Sequence, residues 1–258
     1  MNQRINNSYL YHMFLTYKQE KWFQVEFFFS FFVVIIQTAI YGILFQNIFV
    51  SHEVDAVSMT LYYAVVNVVS LSMLPAQFAA WNHQKKIHSG EIVMKLLRPV
   101  SFPLTEFLEC LTQFMIKSTL NVIIILAIEI VINRKADILW FLLGILSLYL
   151  GFAILYFIQG IIGCLAAWFG DVLRLRDVFM SFLFILGGKV LPSRYLFGAL
   201  KKVIYYTPIP CIYDIPTGFF LETGNLKGVL LQMIWLTVLL SIYAVTFQAM
   251  KHHLDYGG

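Results

Sequence analysis

Glu106 and Glu109 stand three residues apart on a stretch that reads as helix, close enough for two carboxylates to share acid–base work. Nothing in the sequence completes such a site. No Gly-x-Ser-x-Gly or comparable nucleophile setting occurs. The six histidines include no His-Glu-x-x-His, and His252-His253 reads as a solvated pair in the tail. Gly188-Lys189 lacks both the earlier glycine and the following hydroxyl of a phosphate-binding loop, so the chain is not expected to cradle ATP phosphates. Cys110, Cys164 and Cys211 are odd in number and widely spaced, which gives neither a disulfide framework nor a metal motif. The two glutamates read better as interfacial carboxylates facing the cytosol. The sequence therefore predicts no catalytic, metal or cofactor-binding residue in this chain.

The composition says what kind of scaffold carries these residues. Of 258 residues 60% are hydrophobic and only 12% charged, with a mean hydropathy of +0.77. Soluble domains carry about 25% charged residues, so the missing polar surface must be replaced by lipid. A net charge of +4 is scattered between apolar runs rather than gathered on a face, which argues against a nucleic-acid partner. The first 20 residues lack the compact apolar core of a signal peptide. The expected fold is a single all-α polytopic membrane domain over residues 1–258.

A helical span needs about 20 apolar residues. Runs at Phe27 to Val50 and Ala56 to Ala80 are separated only by Ser51 to Asp55, and so predict a hairpin. A third run covers Phe114 to Ile132, with a start as early as Thr105 left open. The fourth, Ile138 to Phe169, exceeds one span and should tilt, bend near Gly160 or Gly163, or pass the membrane. Val178 to Leu191 is short, and Val229 to Met250 is a standard span. Six transmembrane helices result. Ten basic residues in the N-terminal segment, the second and fourth loops and the tail put both termini in the cytosol. Residues 1–24 read as an interfacial elbow helix with Ile5, Tyr9, Met13 and Tyr17 on one stripe.

Residues 187–228 alternate apolar turns with Gly and Pro, among them Gly187, Gly188, Pro192, Pro208 and Pro210. Such backbone is tolerated at membrane depth only where protein or a water-filled cavity satisfies it, so a re-entrant outer helical hairpin between spans five and six is expected. Tyr205, Tyr206, Phe219 and Phe220 would either anchor it at the headgroups or close the pathway as an outer gate. Within the spans, Lys117 would sit near mid-membrane if its helix starts at Thr105, or snorkel to the interface if it starts later. Gln37, Asn67, Asn121 and Gln232 read as interhelical hydrogen-bonding groups, and Gly160/Cys164 with Gly163/Ala167 as close-packing pairs.

The most informative stretch is the loop over residues 82–103. Wound as a helix, it places Glu91, Lys95 and Arg98 on one face, and Ile92, Val93, Leu96 and Leu97 on the other. Ser89, ahead of Gly90, is placed to cap it, Glu91 precedes Lys95 in the favourable i,i+4 order, and Pro99 ends it. The motif "IHSGEIVMKLLRP", the later "GGKVLP", Pro208-x-Pro210, Gly218, "QMIW" at Gln232 to Trp235 and the terminal Gly257-Gly258 resemble, in this order, a family of bacterial ABC-2-type exporter permeases. Their second loop reads approximately "sGel…LLRP". The resemblance implies a non-catalytic permease of the bacterial cell membrane with two partner ATPase subunits, which carry ATP and Mg. A second permease, identical or similar, completes the complex. It further implies that Gly90, Glu91, Ile92, Lys95, Leu96, Leu97, Arg98 and Pro99 form the ATPase-coupling element, and that the cargo is hydrophobic or amphipathic. The rival from another class is a secondary transporter or channel, for which Lys117 is the one midplane charge and no inverted repeat is visible.

Overall fold

In the computed structural model, residues 2–19, 23–49, 56–96, 101–133, 137–196 and 198–256 are described. Among these there is no strand. The helices are α1 (Asn2–Gln19), α2 (Phe23–Phe49), α3 (Ala56–Ser72), α4 (Leu74–Gln77), α5 (Ala79–His88), α6 (Glu91–Leu96), α7 (Phe102–Asn133), α8 (Ile138–Cys164), α9 (Ala166–Phe169), α10 (Leu173–Leu186), α11 (Gly198–Tyr205), α12 (Asp214–Phe220) and α13 (Leu226–Tyr256). A single 3-10 turn, Ser193–Tyr195, precedes α11. Three stretches among the described residues are long and apolar enough to cross a membrane: Phe102–Ile128, Ile138–Phe169 and Leu226–Leu254. Two shorter apolar helical stretches, Phe31–Tyr41 and Val57–Ser72, accompany them.

The boundaries differ from the hydropathy runs in ways that have local causes. The second run is not one helix. Pro75, in the first turn of α4, has no N–H to continue the ladder, and the chain breaks at Met73 and again at Phe78. The third helix starts at Phe102, twelve residues ahead of the apolar run, because Pro103 occupies its first turn and both the N–H and the hydroxyl of Thr105 donate to the Ser101 carbonyl. The fourth runs straight through Gly160 and Gly163 and is interrupted only at Leu165. The fifth, α10, spans 14 residues, or about 21 Å at 1.5 Å per residue, and ends at Gly187. On α1 the Tyr17 position leaves the expected stripe: Tyr9, Met13 and Thr16 face inward, while Tyr17 is 63% exposed. A 3.6-residue period drifts off a four-residue spacing within three steps. The hairpin loop Ser51 to Asp55 lies outside the described residues.

The core gathers around α8. Gly144, Gly151, Gly160 and Gly163 line it, and each admits a neighbour that a methyl group would obstruct. A Cβ on Gly151 would lie 2.9 Å from the Cys211 carbonyl oxygen, and one on Gly163 would lie 2.6 Å from His83 Cβ. Polar side chains join the same helices. Gln232 donates to the Ser147 and Cys211 carbonyls at 3.0 and 2.8 Å, and its own amide oxygen accepts from the Ser147 hydroxyl. Asn121 donates to Ser72 at 2.9 Å. Both carry out the interhelical bonding their sequence positions suggest. Gly163→Ala and Gly151→Ala should each destabilise the purified protein by about 1–3 kcal/mol through overpacking. Gly218→Ala, whose nearest contact would be an ordinary 3.6 Å, should leave the melting temperature in detergent unchanged or raised. Equal behaviour of the three variants would contradict this packing.

Candidate functional site

Two regions carry the residues singled out by sequence. At one end of the bundle, α5 and α6 meet at a tight corner. Gly90 takes φ +69°, a conformation that glycine adopts at no steric cost. The Glu91 N–H then donates to the Ser89 hydroxyl at 3.4 Å, and Val93 N–H to the Gly90 carbonyl. From that corner Ile92 points inward and is fully buried, and Leu96 is half-buried. Val93, grouped with them by the helical wheel, is instead 47% exposed, and Met94 beside it is 66% exposed. Six residues make too little helix to bury a whole apolar face. Leu97, Arg98 and Pro99 lie outside the described residues.

Lys95 does not face solvent. Its ammonium meets Glu91 at 3.1 Å and Glu106 of α7 at 3.0 Å, and it lies over the Phe102 ring. Lys86 of α5 closes on the other oxygen of Glu106. Burial alone would lower the Lys95 ammonium, but the charge and hydrogen bond of Glu106 more than reverse it, leaving Lys95 above its ordinary value. Glu106 is therefore the hub that fastens the corner to α7. Sequence reasoning placed it at the cytosolic interface facing outward. The available signal was a carboxylate in the first turns of α7, after a loop that carries Lys86 and Lys95. Glu109, one turn on, pairs with His12 of α1 at 3.3 Å. Beneath them His83, Tyr156, Gln113 and Cys110 line a small polar cavity of about 60 Å³.

A second loop meets the same corner. His88 Nε2 lies 2.9 Å from the Gly170 carbonyl, and Gln84 bonds Asp171 and the Val172 N–H. The Leu173 N–H and Gln84 hold the Asp171 carboxyl below the usual range.

At the far end, the broken segment after α10 is pinned from below. The single hydroxyl proton of Tyr62 on α3 is shared between the Gly188 carbonyl oxygen at 2.8 Å and an Asp214 oxygen at 2.6 Å, and Tyr63 donates to the Val190 carbonyl. Ser193 closes on the second oxygen of Asp214. Gln77 donates to Tyr213 at 3.0 Å. Gly187 and Gly188 are buried; the latter takes φ +97°, and Tyr62 and Asp214 also occupy the space where a Cβ would stand. Pro192 and Pro210 are buried, and Pro208 is half-buried. Phe219 and Phe220 are fully buried against Trp140 and Phe141 of α8, whereas Tyr205 is half-buried and Tyr206 is 68% exposed. The site residues thus separate: the two phenylalanines hold the segment down, Tyr205 closes α11 half-buried beside Tyr62 and Asp214, and Tyr206 just beyond the helix faces outward. Lys117 sits fifteen residues into the 32-residue α7, at its midpoint and away from both clusters.

Replacing Glu106 by Gln should destabilise the protein by about 3 kcal/mol. This is the low end for breaking a buried pair, since Lys86 and Lys95 keep 18% and 20% of their side-chain surface accessible. Adding Lys86→Met and Lys95→Met should restore most of that loss. Additive losses in the triple variant would show that the three residues do not act as one cluster.

No curated protein matches the chain. The family model for ABC-2 family transporter proteins matches residues 22–253, and so takes in all the spans, the α5–α6 corner and the broken segment. The chain belongs to the ABC-2 family of transporter proteins.

Proposed function

We propose that this chain is the permease subunit of an ATP-driven exporter of hydrophobic or amphipathic cargo in a bacterial cell membrane, and that α6 is where a separate ATPase docks. The observation that carries this reading is the division of labour within α6. Val93 and Met94 are exposed, while Ile92 is buried and Lys95 is tied to Glu106. A partner seated on Val93 and Met94 would move α6, and the Lys95–Glu106–Lys86 cluster would hand that motion to α5 and α7 together. ATP and Mg stay on the ATPase. Two permeases with two ATPases give the symmetric arrangement in which ATP can pull the loop helices together. The energy arrives as differential binding of the ATP-bound ATPase dimer to one permease arrangement.

The proposed topology has six crossings, with α1 as the elbow and both termini cytosolic. The α5–α6 corner then faces the cytosol, and residues 187–228 enter from outside. There α11 and α12 form the outer gate, latched by Tyr62 and Ser193 on Asp214 and anchored by Phe219 and Phe220. Lys117 at the middle of α7 favours a second reading, a secondary transporter or channel in which that charge lines the path. Under that reading transport would persist without any ATPase.

Val93→Asp with Met94→Asp should leave the tagged chain inserted but abolish co-purification of a Walker-containing ATPase and its stimulation by the permease. Normal transport in this double variant would remove α6 from the coupling role. Tyr62→Phe combined with Asp214→Asn should raise basal leak in proteoliposomes while assembly stays intact. Reduced assembly without leak would make the outer latch an anchor rather than a gate.

A further inference from the structure

A groove of about 490 Å³ runs between the first turns of α7 and the later part of α13, with Phe157 of α8 beneath it. That volume lies within the range of about 300–1,000 Å³ typical of small-molecule sites. Its walls are Pro103 and Leu104 on one side and Leu240 and Ala244 on the other. Its floor is a chain of aromatic rings. Phe107 stacks on Phe157 at 5.7 Å, Phe157 meets Tyr243 at 5.5 Å and Tyr243 meets Phe247 at 6.1 Å, while Phe102, outside the groove, backs Phe247 at 5.9 Å. This floor is fixed by packing to α8, whereas Leu104 and Leu240 stay 44% and 49% exposed on the rims. The groove belongs to neither the α6 corner nor the outer latch.

The groove is polarised along its length. Its deep end, at Leu240, is wholly apolar. Toward the α5–α6 end it closes on Ser101 and Gln248, and none of the described residues lining it is acidic. On α13 the lining positions 240, 243, 244, 247 and 248 follow helical spacing, and the next position on that stripe is the exposed Lys251. From Leu240 to Lys251 is about 16 Å at 1.5 Å per residue, close to half of a hydrocarbon core about 30 Å thick. An apolar slot one leaflet deep with a cation at its interfacial mouth matches an amphiphile: one hydrocarbon chain below, one negative head above. A second permease laid over the same face would have to cover the Lys251 ammonium without a counter-charge in the groove.

We propose that this groove is a binding site for an anionic phospholipid of the cytosolic leaflet. One acyl chain lies along the aromatic floor, and the phosphate meets Lys251, Gln248 and Ser101. Assignment to the cytosolic leaflet rests on the topology proposed above; occupation by an anionic lipid needs only that the chain sits in a bilayer.

The test uses the full chain purified into phosphatidylcholine vesicles containing a minority of phosphatidylglycerol that carries a diazirine near the end of one acyl chain. After illumination, adducts should concentrate on residues 101–107 and 240–248, and unlabelled phosphatidylglycerol should compete better than phosphatidylcholine. Ala244→Trp, an exposed position in the groove, should lower this labelling about tenfold, equivalent to losing the burial of about two chain methylenes. Lys251→Glu should keep the adducts but remove the preference for phosphatidylglycerol. Unchanged melting temperatures would show that both variants still fold. Labelling spread evenly over the lipid-facing helices, or unaltered by Ala244→Trp, would overturn the site. So would rapid disulfide formation between two chains carrying Gln248→Cys, because a second copy would then cover the groove. The exporter reading is read separately, by ATPase co-purification. Labelling lost with the ATPase retained sinks the lipid site alone, and labelling retained with the ATPase lost supports the lipid site while removing the exporter.

Discussion

The interruption of helix between α10 and α13 sets the terms for the rest of the molecule. Backbone amides and carbonyls that leave a helix where water is scarce must find partners among the neighbouring side chains. Here the partners are specific. Tyr62 and Tyr63 satisfy the carbonyls of Gly188 and Val190, Gln232 satisfies that of Cys211, and Gln77 holds Tyr213. Because α3 contributes two of these groups and α4 and α13 one each, their positions around α8 are constrained together. The glycines of α8 follow from the same demand. Gly151 must be bare because the Cys211 and Ile212 carbonyls approach within 3.1 Å of where its Cβ would stand.

The two ends of the bundle are joined by different chemistry. At the broken segment the links are mostly hydroxyls and amides directed at carbonyls and one carboxylate, which suit a site of low polarity. At the α5–α6 corner the main links are ionic, with Glu106 shared by Lys86 and Lys95, while Glu109 lies 3.3 Å from His12. Partial burial strengthens ion pairs of this kind: Glu106 is 6% exposed, and the Lys95 ammonium lies over the Phe102 ring. The corner is thus stiff toward α7 and bare toward the outside. A surface that receives a partner and passes on its motion needs both properties.

Much of this was legible in the residues. Hydropathy located the apolar helices, the Gly/Pro pattern located the broken segment, and Ser89, Gly90 and Glu91 announced the corner. What failed did so for identifiable reasons. Hydropathy cannot see that Pro75 divides an apolar run, because proline is a backbone defect rather than a polar residue. It also left the start of α7 open between Thr105 and Phe114, short of Phe102, because Thr105, Glu106 and Glu109 add no hydropathy to the run they precede. The same blindness hid Glu106: a carboxylate is buried only when two lysines from elsewhere in the chain converge on it. Val93 shows the complementary limit. A helical wheel assumes that an apolar face is covered, and nothing local says that six residues are too few to cover it.

The hydrogen bond from Tyr62 to Asp214 joins residues 152 positions apart. Its two ends are made at very different times during synthesis. Tyr62 must wait for Asp214 while α7, α8 and α10 are synthesised. His83 waits longer still, since Tyr243 lies 160 residues downstream. The segment carrying Asp214 therefore cannot mature as it emerges; it must be gathered in after α13 has arrived. These long-range bonds can close only after α13 has been made, and a nascent chain stopped before α13 should be a natural target for membrane quality control.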